Sequence, residues 1–127
     1  MKRVLIADDE PIERMIVTRT IQKYFPEELA VVSAVNGREA VEQFFAENCQ
    51  IALLDIEMPG MNGLEAAEQI RERDKNCSII FLTAFDEFNY AKRAIAVRAM
   101  EYLLKPVEDQ ELEAVLAEAI RLSLIHI

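Results

Sequence analysis

Acidic residues stand where apolar segments end. Asp8 and Asp9 follow the run VLIA (4–7), and Asp55 follows IALL (51–54). Thr83 closes SIIFL (78–82), and Lys105-Pro106 follows EYLL (101–104). Two carboxylates about 5 Å apart repel by roughly 3 kcal/mol at an effective dielectric near 20, so three together need a cation or an extra proton. A hard divalent ion with oxygen ligands that keeps some of its waters meets that need, and Mg²⁺ is the natural choice. A carboxylate beside such an ion, with a lysine and a hydroxyl in reach, is equipped to act as a nucleophile toward a phosphoryl group. The ion and the ammonium neutralise the transferring oxygens, which makes the chemistry a matter of positioning and electrostatics. Taken singly, each residue is ordinary: paired aspartates at a turn, a threonine in a strand, a Lys-Pro turn. The whole set at successive segment ends carries the reading.

Five units of a short apolar run, a polar turn and an amphipathic stretch position these residues. The runs are VLIA, LAVVSA (29–34), IALL, SIIFL and EYLL. Those at 4–7, 51–54 and 79–82 are apolar throughout, as strands covered on both faces must be. The alternation predicts an α/β fold, a (βα)5 layout with a parallel sheet and right-handed crossovers. If the strand order is 2-1-3-4-5, the first and third strands are neighbours about 4.8 Å apart. Asp8, Asp9 and Asp55 then share one pocket at the carboxyl ends, with Thr83 and Lys105 on its rim.

Asn36-Gly-Arg-Glu39 and Asn62-Gly-Leu-Glu65 resemble capping boxes. The first helix is expected from Pro11 to about Phe25, with Val17, Ile21 and Tyr24 buried. In the last helix Leu112, Val115, Leu116 and Ala119 form an apolar face. In the fourth, Phe88, Ala91 and Ile95 read as the core stripe, and Tyr90, Ala94 and Val97 as a stripe turned to a partner. After Arg121 the sequence LSLIHI breaks the polar pattern. Residues 1–121 therefore read as one domain and 122–127 as a tail, either the start of a linker or a non-native remnant, with no role for His126.

The 127 residues carry 14 basic and 23 acidic side chains, a net charge of −9. Such a chain is a poor nucleic-acid binder, since neutralising phosphates takes clustered Lys and Arg. With 52% hydrophobic residues it can bury a full core unaided. Cys49 and Cys77 form no motif, and both precede strands at the pole away from the acids. Scarce cysteine and the lack of a long apolar run fit a cytoplasmic protein with no membrane segment.

Together ADDEP, LLDIEMPGMNGLE, IIFLTA and YLLKP resemble the receiver domain of bacterial two-component response regulators, from Lys2 to about Arg121. The resemblance implies a flavodoxin-like three-layer fold of order 2-1-3-4-5 and a sensor histidine kinase as phosphoryl donor. It implies Asp55 as phosphoacceptor, and Asp8, Asp9, Asp55 and the backbone carbonyl of Glu57 as holders of Mg²⁺. Thr83 would move its hydroxyl to the phosphate, Lys105 would pair with it, and Tyr102 would swing inward behind Thr83. The Lys105-Pro106 peptide would be cis. DEFNYAKRAI (86–95) is similar to receivers that precede an AraC-type DNA-binding domain, which would make this chain the switch of a transcription regulator.

Glu57 and Phe85 stand at positions expected to tune access and lifetime, and Ala84 is small enough to leave the pocket open. Output is expected through the fourth helix and fifth strand, with a homodimer through these and the last helix. The domain would catalyse only its own phosphorylation and dephosphorylation. The alternatives are a stand-alone phosphorelay receiver, a phosphorylation-independent scaffold and, less well matched, a Mg²⁺-dependent phosphohydrolase.

Overall fold

The computed structural model describes residues 1–125, so His126 lies outside the described residues. Five strands and five helices alternate among them: β1 (Lys2–Ala7), α1 (Pro11–Tyr24), β2 (Leu29–Ala34), α2 (Gly37–Ala46), β3 (Ile51–Leu54), α3 (Gly63–Arg73), β4 (Ser78–Thr83), α4 (Phe88–Ala96), β5 (Glu101–Leu104) and α5 (Asp109–Ile125). The strands form one parallel sheet in the order β2-β1-β3-β4-β5. This is the (βα)5 parallel layout that the residue pattern predicts, in the flavodoxin-like order that the family resemblance implies.

Alternation along the strands divides the core in two. Val4 and Ile6, Ile51 and Leu53, Ile80 and Leu82 face α1 and α5, where Val17, Ile21, Leu112 and Leu116 meet them. Leu5 and Ala7, Ala52 and Leu54, Ile79 and Phe81 face the other way, against Phe44 of α2, Leu64 and Ile70 of α3 and Ala94 of α4. β3 and β4 are buried along their whole lengths, as strands covered on both faces should be.

Local chemistry sets the helix boundaries. Pro11 opens α1, where its missing N–H costs nothing. At α3 the capping box is complete: Asn62 Oδ1 accepts from Glu65 N–H at 2.9 Å, and Glu65 Oε1 accepts from Asn62 N–H at 3.1 Å. At α2 Asn36 caps in the same way, but Glu39 accepts instead from Val35 N–H, one residue earlier.

Two details correct the sequence reading. On α4 the stripes are exchanged: Ala94 and Val97 are buried, while Phe88 and Ile95 are 82% and 77% exposed, and Tyr90 and Ala91 are half-buried. The small alanine lets the helix lie close to the sheet, and the larger side chains are turned out. On α1 Tyr24 is only half-buried, and Thr20 takes the inward position beside Val17 and Ile21. The Thr20 hydroxyl lies 3.2 Å from both the Ile16 carbonyl and Asp109 Oδ1. Residues 122–125 continue α5, with Leu122 and Ser123 half-buried and Leu124 and Ile125 exposed.

Candidate functional site: an acidic cleft at the strand ends

The carboxyl ends of β1 and β3 adjoin because the strands pair directly, Ala7 opposite Leu54. The residues that follow are therefore fixed by backbone hydrogen bonds. Asp8 N–H donates to the Ala34 carbonyl at 3.2 Å, and Asp55 N–H to the Ala7 carbonyl at 2.9 Å. Oxygens of Asp8, Asp9 and Asp55 all lie within 4.8 Å of one another. Asp8 and Asp55 are buried, whereas Asp9 is exposed. Arg14 reaches back from α1 to donate to the Asp8 carbonyl at 2.7 Å, and Glu10 N–H donates to Asp8 Oδ1 at 3.0 Å.

Lys105 enters from the end of β5, just before a cis Lys105-Pro106 peptide. Its Nζ lies 2.8 Å from Asp8 Oδ2, 3.5 Å from Asp55 Oδ2 and 3.8 Å from Glu13 Oε2. One ammonium thus faces three carboxylates, with Asp9 a further acid beside two of them. Burial pushes the Asp55 carboxyl above the ordinary carboxylate range; Lys105 opposes this and the Asp8 charge adds to it. For Lys105, burial works against the charged form, but the Asp8 hydrogen bond and the charges of Asp55, Asp8 and Glu13 outweigh it and the ammonium is held more tightly than usual. A concave space of about 560 Å³ opens over the group, with Glu13, Glu57, Ala84, Phe85 and Pro106 among its walls.

Thr83 sits apart from that cleft. It is fully buried, and its hydroxyl accepts from Phe85 N–H at 3.3 Å. Tyr102 is half-buried against the core, its hydroxyl donating to the Phe85 carbonyl at 2.6 Å, with its ring 6.3 Å from that of Phe81. Burial, then the charges of Asp86 and Glu87, push the Tyr102 hydroxyl up. Glu57 is exposed at the cleft mouth, where its carboxylate accepts a hydrogen bond from the Tyr90 hydroxyl.

Sequence reasoning passed over several contributors. Glu13 lies in the first turn of α1, and side chains there lean back toward the helix start, so an acid at that position reaches the cleft. Gly63 and Gly37 allow chain approaches that no side chain would survive. A Cβ on Gly63 would lie 1.9 Å from the Asp55 carbonyl oxygen, and one on Gly37 2.3 Å from that of Met61. Arg71, buried among carbonyls at the opposite pole, gave no signal, because arginine near a helix end is ordinarily a solvated charge.

Residues 4–117 match the response regulator receiver domain. The positive alginate biosynthesis regulatory protein of Pseudomonas aeruginosa is 41% identical over 118 residues, 93% of this chain and 47% of that protein. Among solved structures, response regulator protein TrrA from Thermotoga maritima, in complex with Mg²⁺-BeF, is 38% identical with a TM-score of 0.83 over 94% of this chain and 99% of that one. The REC domain of AraT, a response regulator from Geobacillus stearothermophilus, is 36% identical with a TM-score of 0.86 over 99% and 98% of the two chains. The chain spans between about a third and a half of the curated relatives it matches. Among the described residues no helix is long and apolar enough to cross a membrane. The family match over most of the chain, joined to the observed sheet order, shows that this protein belongs to the response regulator receiver domains.

Proposed function

We propose that the acidic cleft is the phosphoryl-accepting switch of a two-component signal transduction system, with Asp55 as acceptor and a sensor histidine kinase as donor. The observation that carries this reading is the gathering of Asp8, Asp9 and Asp55 within 4.8 Å with Lys105 Nζ against two of them. Asp8, Asp9, Asp55 and the backbone carbonyl of Glu57 would hold Mg²⁺. All are hard oxygen donors, and a single lysine leaves them short of positive charge, so the donor set fits that ion. Bound there, the ion supplies neutralisation of the carboxylates and of the incoming phosphoryl oxygens.

The protein's own groups divide the remaining work. Asp55 offers a carboxylate oxygen to phosphorus as the donor's nitrogen leaves. Lys105 keeps its proton and pairs with a phosphoryl oxygen. Ala84 leaves the approach open. The new group adds about −1.5 to −2 charges, which draws the Thr83 hydroxyl from the Phe85 amide and lets Tyr102 turn inward into the space behind it. Glu57 and Phe85 set the lifetime, which comparing dephosphorylation of Glu57→Asn and Phe85→Ala with the native chain would show.

Residues 1–121 form the receiver unit in this reading, and 122–127 the start of a linker or a non-native remnant. The signal leaves through α4, β5 and α5 as a homodimer contact, to which exposed Phe88, Ile95 and Leu104 offer apolar surface. It controls an AraC-type DNA-binding output, while this cytoplasmic domain makes no nucleic-acid contact and turns over no other substrate. Intact mass after incubation with acetyl phosphate and Mg²⁺ tests the core of the proposal. One phosphoryl gained by the native chain, lost with chelator and absent in Asp55→Asn, is expected. An adduct that survives Asp55→Asn would exclude Asp55, and steady release of phosphate from phosphomonoesters would favour a hydrolase.

A further inference from the structure

α4 is fastened unequally at its two ends. Near its C-terminus Ala94 and Val97 are buried, and Arg71 reaches across from α3. Arg71 Nε donates to the Val97 carbonyl at 2.8 Å and Nη2 to the Arg98 carbonyl at 3.3 Å, while Nη1 binds the Cys77 carbonyl at 2.8 Å. The N-terminal half is held less firmly, with the half-buried Tyr90 ring as its packing against the core. Phe88 is 82% exposed, Asn89 is exposed, and Glu87 supplies no side-chain cap. Among the described residues two side-chain links leave the body of this helix. One is the Arg93–Glu68 ion pair at 2.9 Å, between groups 40% and 45% exposed, a geometry that contributes little. The other joins the Tyr90 hydroxyl to the Glu57 carboxylate.

Glu57 is two residues from Asp55 and lines the acidic cleft. Any change of charge in that cleft acts on its carboxylate, and the carboxylate is what Tyr90 holds. The hydrogen bond is charge-assisted, the stronger class. We infer that Tyr90 is a positioning residue whose hydroxyl, through Glu57, carries the state of the acidic cleft to the free end of α4, which pivots about the end pinned by Arg71. The inference rests on the proposed function only for what occupies the cleft; the tether itself is a hydrogen bond of the protein's own side chains. It differs from the Thr83–Tyr102 route, which runs through β4 and β5.

Amide hydrogen exchange on the whole chain tests it, using Tyr90→Phe, Glu57→Ala, their double variant and Glu57→Gln, with Mg²⁺ and beryllofluoride as the probe. The Ala91 amide, bonded to the Glu87 carbonyl, reports the free end, and the Ala99 amide, bonded to the Ala94 carbonyl, reports the pinned end. Without ligand, Tyr90→Phe should exchange about fivefold faster at Ala91, as loss of one such hydrogen bond implies, and be unchanged at Ala99. With the probe, Ala91 should respond in full in the native chain and less in Glu57→Gln, which keeps an acceptor oxygen but not the charge on which the cleft acts. It should not respond in Tyr90→Phe, Glu57→Ala or the double variant, and the double variant should match the singles. Equal ligand-free exchange at Ala91 in native and Tyr90→Phe, or an undiminished response in Tyr90→Phe, overturns the inference. Failure of the proposed function shows separately, as no phosphoryl adduct on Asp55 and no binding of beryllofluoride by the native chain, while the ligand-free exchange still judges the tether.

Discussion

Replacing Gly63 with alanine probes how tightly the fold is drawn around Asp55. The added Cβ would lie 1.9 Å from the Asp55 carbonyl oxygen and 2.8 Å from its carbonyl carbon, about 1.5 Å short of ordinary contact. The obstacle is backbone on a buried strand end, so relief requires moving either α3 or the residue that carries the cleft. Overpacking of this kind costs about 1–3 kcal/mol. The shift also strains the bond from Gly63 N–H to the Ile56 carbonyl, 2.9 Å long, with about 1 kcal/mol at stake. Alanine's better helix propensity returns less than about 1 kcal/mol. The net expectation is a loss near 3 kcal/mol, or about 10 °C in Tm for a domain of this size. Gly60→Ala is the control. Its φ is +73°, which strains any side chain, yet nothing lies within 4 Å of the new methyl. It should cost about 1–2 kcal/mol. Urea unfolding followed by circular dichroism gives both values under one condition. If Gly63→Ala unfolds within about 0.5 kcal/mol of the native chain, or Gly60→Ala proves the more damaging, close approach is not the reason for glycine at 63.

Three further outcomes follow from particular contacts. The raised Asp55 carboxyl means that the native state holds this proton more tightly than the unfolded chain does, so its contribution is favourable at low pH and lost as pH rises through the folded value. Asp55→Asn without metal should therefore melt above the native chain at pH 7, with the gap closing toward acid; calorimetry across pH 4–8 checks it, and a constant gap would contradict the charge argument. Arg71→Met should cost about 3 kcal/mol by leaving the carbonyls of Cys77, Val97 and Arg98 without their donor, and Arg71→Lys should not recover it, because one ammonium cannot span a fork of diverging acceptors. Ile95→Asp should leave stability within about 0.5 kcal/mol, whereas Ala94→Asp should cost about 3 kcal/mol or more by burying a charge against the sheet; chemical denaturation of the pair decides which face of α4 is inward.

What the sequence makes legible here depends on how many constraints act on one stretch. IALL and SIIFL are buried on two faces and can be read as strands almost to the residue, because no charged position survives there and only Ser78 is polar. α4 offers a weaker signal. Its nine residues, with Val97 next in line, carry apolar side chains on two stripes, and size draws attention to Phe88 and Ile95 when the sheet in fact receives Ala94. Thr20 is inward for a reason no window of sequence contains, since Asp109 arrives from the far end of the chain. The three aspartates and Lys105 were visible as a set because strand order alone brings their segments together. The Tyr90–Glu57 bond was not, since it depends on where α4 settles beside the loop that follows the third strand.

The position of β1 has a consequence for how the molecule is made. Of the five strands this one is made first, yet it lies inside the sheet, with β2 on one edge and β3 on the other. Val4 finds its second partner only at Ile51, about 47 residues later. At about 5–20 residues per second that interval lasts roughly 2–10 s, during which an apolar strand with one open edge depends on chaperones or on the ribosome surface for cover. Every strand pair is parallel, so no hairpin forms early to anchor the others, and the domain closes around its oldest segment. Asp8 and Asp9 are synthesised before Asp55, and Lys105 follows Asp55 only about 50 residues later. Truncated products that stop before β5 would carry the acids without the cation that restrains them.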